Sequence, residues 1–308
     1  MFGAEFEPVD VEVPDGAGGG VRIHAVRGGV GPPVLLLHGF PQSHVMWHRI
    51  APELAHAHTV VAADLRGYGD SGRPEAGDDH AGYSFRAMAA DQVALMEALG
   101  FDRFTVIGHD RGARVTHRMA LDHPDRVARL ALLDILPTAY VYAHVDRASA
   151  TAYYHWFFLI QPADLPERLI GGDPLYFLHR SLGSWGSGLD AHAPEALQEY
   201  ERVFADPVAR HAMIEDYRAG ASTDLEHDAA STAAGERIAA PCLVLWGARG
   251  VVGRNPTSPL DVWRPLATDP SLVDGAVVPG AGHFLAEENH SATLAALRSF
   301  LGSAGRPG

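Results

Sequence analysis

The stretch Val106-Ile107-Gly108-His109-Asp110-Arg111-Gly112 joins a short apolar run to a helical pattern through Gly-x-Asp-x-Gly. Glycines on either side of a central residue permit a sharp strand-to-helix turn and close packing of helix on strand. The central side chain is then pushed up at the carboxyl end of a sheet, where ligands of open α/β sheets bind. A carboxylate in that position can attack a saturated carbon and form an ester with it. A helix N-terminus beside it favours the anion. The ordinary alternative is a helix N-cap, for which aspartate is a favoured residue. The flanking glycines and the preceding buried run favour the nucleophile.

Such a turn needs a sheet to stand on. Val9 to Val13 and Val21 to Val26 read as short strands around a glycine-rich turn. Pro33 to Leu37, Thr59 to Ala63, Phe104 to Gly108 and Leu130 to Leu133 are continuous apolar runs, the pattern of strands buried on both faces. Phe85 to Leu99 has helical spacing, and Arg114 to Leu121 predicts a helix ended by Asp122-His123-Pro124. From Pro137 to about Gly235 the alternation fails, and helix formers, aromatics and prolines dominate. Leu243 to Trp246 and Leu272 to Val278 resume the strand pattern, and Asn289 to Leu301 closes as an amphipathic helix. The expected class is α/β, a mostly parallel sheet with helices on both faces. Residues 1–137 and 236–308 would form the core domain, and residues 138–235 an inserted helical cap.

The 308 residues are 47% hydrophobic, enough for a sizeable core. A net charge of -14 argues against nucleic acid and anionic membrane surfaces as partners. A small anionic substrate would need a local positive site set against that field. No apolar run reaches the length of a membrane span, and Met1 to Gly20 lacks the basic start and apolar stretch of a signal peptide. Cys242 is the only cysteine, so the expected location is a reducing cytoplasm. No metal-ligand spacing occurs, and neither a metal nor a cofactor is expected.

His38-Gly39-Phe40-Pro41, Asp64-Leu65-Arg66-Gly67-Tyr68-Gly69-Asp70-Ser71, Gly108-His109-Asp110-Arg111-Gly112 and Gly280-Ala281-Gly282-His283-Phe284 resemble the motifs of the dehalogenase and epoxide hydrolase branch of the α/β-hydrolases. The likeness covers nearly the whole chain. It is closest to the fluoroacetate dehalogenases, because of Asp110-Arg111-Gly112-Ala113-Arg114 and His155-Trp156. The resemblance implies the α/β-hydrolase fold, Asp110 as nucleophile, His283 as the base that activates water, and a possible homodimer. It allows two places for the acid that orients His283. Residues 247–254 hold no Asp or Glu, whereas Asp134 ends the other strand. The backbone N–H groups of Phe40 and Arg111 would stabilise the oxyanion.

The resemblance also implies a substrate. Haloalkane dehalogenases carry tryptophan after the nucleophile, and this chain carries Arg111, with Arg114 three residues on. Forked, permanently charged guanidinium groups suit a carboxylate. His155, Trp156 and Tyr217 match the family's halide donors, although aromatic packing would also account for them. The reaction implied is hydrolysis of a haloacetate, fluoroacetate or chloroacetate, to glycolate and halide through an Asp110 ester. The alternatives are an epoxide hydrolase, with Tyr153 or Tyr154 and Tyr217 as proton donors, and a non-catalytic small-molecule binding protein. A serine esterase is disfavoured because no Gly-x-Ser-x-Gly occurs.

Overall fold

The computed structural model describes residues 1–16 and 18–302. Its strands are β1 (Phe6–Pro14), β2 (Gly20–Gly28), β3 (Pro33–Leu37), β4 (Thr59–Ala63), β5 (Phe104–His109), β6 (Val127–Leu133), β7 (Cys242–Gly247) and β8 (Val273–Val278). They form one sheet in the order β1-β2-β4-β3-β5-β6-β7-β8. β2 runs antiparallel to β1 and β4, and the pairs from β4 to β8 are parallel. Every residue of β4 and β5 is buried, which explains their largely apolar composition. β1, at the edge, is mostly exposed and carries the charges Glu7, Asp10 and Glu12.

Two boundaries depart from the sequence pattern for identifiable reasons. β6 begins at Val127 and not at Leu130. Arg129 interrupts the apolar run, but its guanidinium lies over the Phe300 ring and donates to the Phe300 carbonyl at 2.8 Å, so the charge leaves the sheet. The helix after β5 spans Arg111–Asp122 and not only the residues from Arg114. The amides of Ala113 and Arg114 both reach the Asp110 carbonyl, at 3.0 and 3.1 Å, so helical turns begin directly after Asp110.

β3 lies between β4 and β5, so the chain leaves β3 to one side and returns on the other. Ligand sites of open α/β sheets form at such a switch point, beyond the carboxyl ends of the strands. The loops after β3, β5, β6, β7 and β8 all open at that end. Between β6 and β7 the chain is helical, from Thr138–Ala143 to Thr223–Ala234. This segment is tied to the sheet by buried polar groups. The Glu287 carboxylate accepts from His192 Nδ1 at 2.8 Å, from the Tyr200 hydroxyl at 3.3 Å and from the Gln42 amide. No described helix is long and apolar enough to cross a membrane.

Candidate active site

The turn after β5 bends most sharply at Asp110, whose φ is +47° and ψ −116°. Among the described residues the flanking glycines are not in the left-handed region. Their service is close approach. A Cβ on Gly108 would stand 2.4 Å from the Gly112 carbonyl oxygen, and one on Gly112 would stand 2.3 Å from the His38 carbonyl oxygen. A non-glycine residue held in such a conformation stores about 1–3 kcal/mol, a cost that surrounding structure must offset. Asp110 makes no side-chain cap to its helix. Its Oδ1 instead accepts the Phe40 N–H at 3.0 Å, from the loop after β3. Gly39 makes this possible, since a Cβ there would lie 2.4 Å from that of Asp110.

Asp110 Oδ2 is 3.8 Å from His283 Nε2, and His283 Nδ1 donates to Asp134 Oδ2 at 2.7 Å. Asp134 follows β6 with φ +53°, and its Oδ1 accepts the Gly247 N–H at 2.9 Å. The end of β7, whose following loop lacks an acid, therefore supplies an amide to the acid on the neighbouring strand. Burial disfavours the Asp110 anion, but the positive neighbours, His283 foremost, outweigh it and hold the carboxyl down at about 2. Burial likewise works against protonated His283, yet the hydrogen bond and charge of Asp134, with Asp110 behind them, raise its pKa above the ordinary histidine value. Burial pushes Asp134 up, only partly countered by His283.

The two arginines have different surroundings. Arg111 donates from Nε to Asp216 Oδ2 at 2.8 Å and from Nη2 to the Asp216 carbonyl at 2.6 Å and to Oδ1. Its guanidinium lies between the Phe85 and Tyr217 rings, 4.6 and 4.4 Å from their centroids. The Tyr68 hydroxyl also donates to Asp216, at 2.7 Å. Asp216 thus neutralises Arg111, and only Nη1 is left without a described hydrogen bond. Arg114 is 4% exposed and has no carboxylate within 4 Å among the described residues. Its Nη1 donates to the Leu136 carbonyl at 3.0 Å and to Thr138 Oγ1 at 2.9 Å, and the Trp156 ring lies 4.5 Å away. Its Nε is buried with no partner. Burial pulls its pKa below that of a free arginine.

A cavity brings together Asp110, Arg114, Asp134, His155, Trp156 and His283, with Tyr153 and Trp185 closing it. It leaves about 30 Å³ for the centre of a water-sized group, against roughly 10–15 Å³ for one water. Only a ligand of a few heavy atoms fits. His155 lies against Trp185, ring centroids 4.1 Å apart, and burial pushes it down to about 3, so it is neutral. Arg111 and Tyr217 do not line the cavity wall. The Tyr217 ring stands behind it, edge-on to Phe40 at 5.1 Å and to His155 at 5.9 Å.

Several groups around the site escape sequence reasoning. Glu288 accepts the amides on either side of His283, from Gly282 and Phe284, both at 2.7 Å. The His283 amide donates to the Trp185 carbonyl at 3.1 Å. His109, beside the nucleophile, sets its Nε2 2.8 Å from the His283 carbonyl oxygen, and burial pushes it down to about 3. A carboxylate at a helix start reaching back to free amides is the signal by which Glu288 was findable. Nothing local marks Trp185 or His109.

The α/β hydrolase fold family matches residues 32–290. Fluoroacetate dehalogenase of Burkholderia sp is 49% identical over 93% of this chain and 92% of its own length. Soluble epoxide hydrolase of Corynebacterium sp. (strain C12) is 34% identical over 87% of this chain and 90% of its own. The crystal structure of a candidate α/β hydrolase from Nostoc sp PCC 7120 superposes with a TM-score of 0.92, at 52% identity, over 97% of this chain and 99% of that one. By motif, sheet order and these likenesses, the chain belongs to the α/β hydrolase fold family.

Proposed function

We propose that this hydrolase cuts the carbon–halogen bond of a haloacetate, with residues 138–235 as a cap over a core formed by residues 1–137 and 236–308. Arg114 is the observation that carries the reading. A buried cation without an acidic partner costs several kcal/mol unless something neutralises it. It shares a cavity of a few heavy atoms with an anionic, non-capping aspartate. A small carboxylic acid with a leaving group on its α-carbon satisfies both. Its carboxylate meets the Nε side of Arg114, and its α-carbon faces Asp110 Oδ2.

Displacement forms the bond from Asp110 Oδ2 to the α-carbon and releases halide. His155 and Trp156 supply donors to the departing ion, and Tyr217 backs them. Arg111, already paired with Asp216, offers the substrate at most the N–H groups of Nη1. Ester formation removes the negative charge 3.8 Å from His283 Nε2, which lowers the proton affinity of the imidazole only modestly because Asp134 remains. His283 then takes a proton from water as its oxygen adds to the Asp110 carboxyl carbon. The oxyanion forms on Oδ1, where the Phe40 N–H already points. The Arg111 N–H, first amide of its helix and so without an intrahelical partner, is the second donor. Collapse expels glycolate, which carries Oδ2 away, and Asp110 is rebuilt with an oxygen from water. The balance is haloacetate and water to glycolate, halide and one proton.

Arg114 also argues against an epoxide hydrolase, since a neutral epoxide leaves the buried guanidinium uncompensated. A purely binding role has no use for the strained Asp110 beside a histidine–aspartate pair. The test follows free halide from fluoroacetate and chloroacetate. Release is expected with the native chain and none with Asp110→Asn. His283→Asn should accumulate a covalent adduct on Asp110, seen by mass spectrometry. Steady halide release by that variant without an adduct overturns the two-step scheme.

A further inference from the structure

The catalytic cavity is small, and a substrate must reach it through its surroundings. A second cavity of about 580 Å³ shares two of its lining residues, Ala152 and Val251. Those two side chains come from different elements. Ala152 ends the helix Arg147–Ala152 of the segment between β6 and β7, and Val251 belongs to the loop after β7. We propose that the outer cavity is the vestibule of the catalytic cavity, and that Ala152 and Val251 form the partition that sets how large an α-substituent a haloacid can carry. The inference rests on the haloacid reading for its ligand class.

Three observations support it. Ala152 and Val251 line both cavities, so the side chains that bound the catalytic cavity there also bound the outer one. The helix bearing Ala152 has no buried residue. It is held by a capping box, in which Asp146 accepts the Ser149 amide at 2.7 Å and Ser149 Oγ accepts the Asp146 amide at 2.8 Å. Elements with few buried contacts open at low free energy, so this side of the partition can yield without disturbing the core. The outer cavity also carries charge suited to an anion. Exposed Arg254 lines it and has no carboxylate within 4 Å among the described residues, unlike many arginines of this acidic chain. Asp146 lines it too, but its carboxylate is turned onto the Ser149 amide and hydroxyl.

Two variants with opposite effects provide the test. In Val251→Ala the partition loses two methyl groups, and the ratio of kcat/KM for 2-chlorobutyrate over chloroacetate should rise about tenfold or more, the size of effect that a methylene or two carries in an apolar site. In Val251→Phe the passage narrows, and that ratio should fall while kcat/KM for both acids declines. Binding of acetate and butyrate, followed by quenching of the Trp156 and Trp185 fluorescence, repeats the comparison without turnover. The same widening of the butyrate-to-acetate affinity ratio is expected in Val251→Ala. If neither variant moves either ratio by more than twofold, the partition is refuted. If the binding ratios move as expected while no halide is released from any acid, the partition stands and the haloacid reading fails.

Discussion

Replacing Arg114 by methionine separates the cost of a buried charge from its use. In the native protein the guanidinium sits beside Trp156, with Nη1 on Leu136 and Thr138, and faces no carboxylate among the described residues. Truncating one partner of a buried charge pair costs about 2–5 kcal/mol of binding. At 1.36 kcal/mol per decade, kcat/KM for chloroacetate should fall between about 30-fold and a few thousand-fold. Folding stability should hardly move. The variant loses two hydrogen bonds from a charged donor, about 1.5–3 kcal/mol each, and an aromatic contact of about 0.5–2 kcal/mol. It gains relief from several kcal/mol of desolvation. These nearly cancel, so Tm should stay within a few degrees. Saturating acetate should raise the native Tm, since a ligand at a hundredfold its Kd adds about 2.7 kcal/mol, and should leave the variant's Tm in place. Initial rates of halide release and thermal scans with and without acetate make the measurement. A variant with kcat/KM within threefold of native would remove the carboxylate clamp from the mechanism, however stable it proved.

In the proposed mechanism His283 acts as a base only when neutral, so the ester-hydrolysis step should lose rate as pH falls through its pKa in the ester, which lies below the raised value of the free site because the Asp110 charge is gone. Asp110, held at about 2, adds no second limb in that range. Stability runs the other way. A raised folded-state pKa contributes stability that is fully present below 6.5 and is lost as pH rises through the raised value. Paired profiles of single-turnover hydrolysis and of Tm against pH check both signs, and a rate that climbs on acidification contradicts the assignment. Glu288→Gln should slow kcat about tenfold or more with KM within twofold, because the glutamine amide can accept from only one of the Gly282 and Phe284 amides that fix the His283 loop. An equal rise in KM and fall in kcat/KM, with kcat intact, would mean that the loop needs no such anchor.

The elbow was legible because its requirements are local. Gly108 and Gly112 are places where no side chain fits, and a buried run precedes them, so the central residue is exposed to a ligand whatever the rest of the chain does. The parallel strands were legible for a related reason, since burial on both faces leaves a largely apolar run. What the pattern could not convey is pairing at a distance. Arg111 and Arg114 look alike in sequence, three apart on one helix. Only the packing of the helix Pro207–Gly220 brings Asp216 to Arg111 and leaves Arg114 without an acid. Trp185 reaches the site for the same reason, carried there by a helix that ends at it. The segment between β6 and β7 has no strand register to fix its position, and its contacts are set by tertiary packing alone.

That asymmetry between the arginines gives the site a definite charge balance. Asp216 cancels Arg111, and the free site then holds Asp110 and Asp134 against Arg114 and His283, whose pKa is raised. In the proposed reaction, bound haloacetate would add one negative charge, its carboxylate on Arg114 and its carbon–halogen bond facing the Asp110 anion. Esterification would pass the charge of Asp110 to the halide, whose departure removes that one charge from the cavity. On that reading the ester stage keeps the substrate carboxylate paired with Arg114, while neutral His283 stays hydrogen-bonded to Asp134 through Nδ1. In a low-dielectric cavity such pairing matters more than any single contact, because each unpaired charge costs several kcal/mol. A neutral substrate would leave Arg114 unpaired at every stage. A dianionic one would leave a charge unpaired at the ester. On the haloacid reading the arrangement would therefore select a monocarboxylate on electrostatic grounds before the small volume of the cavity excludes anything.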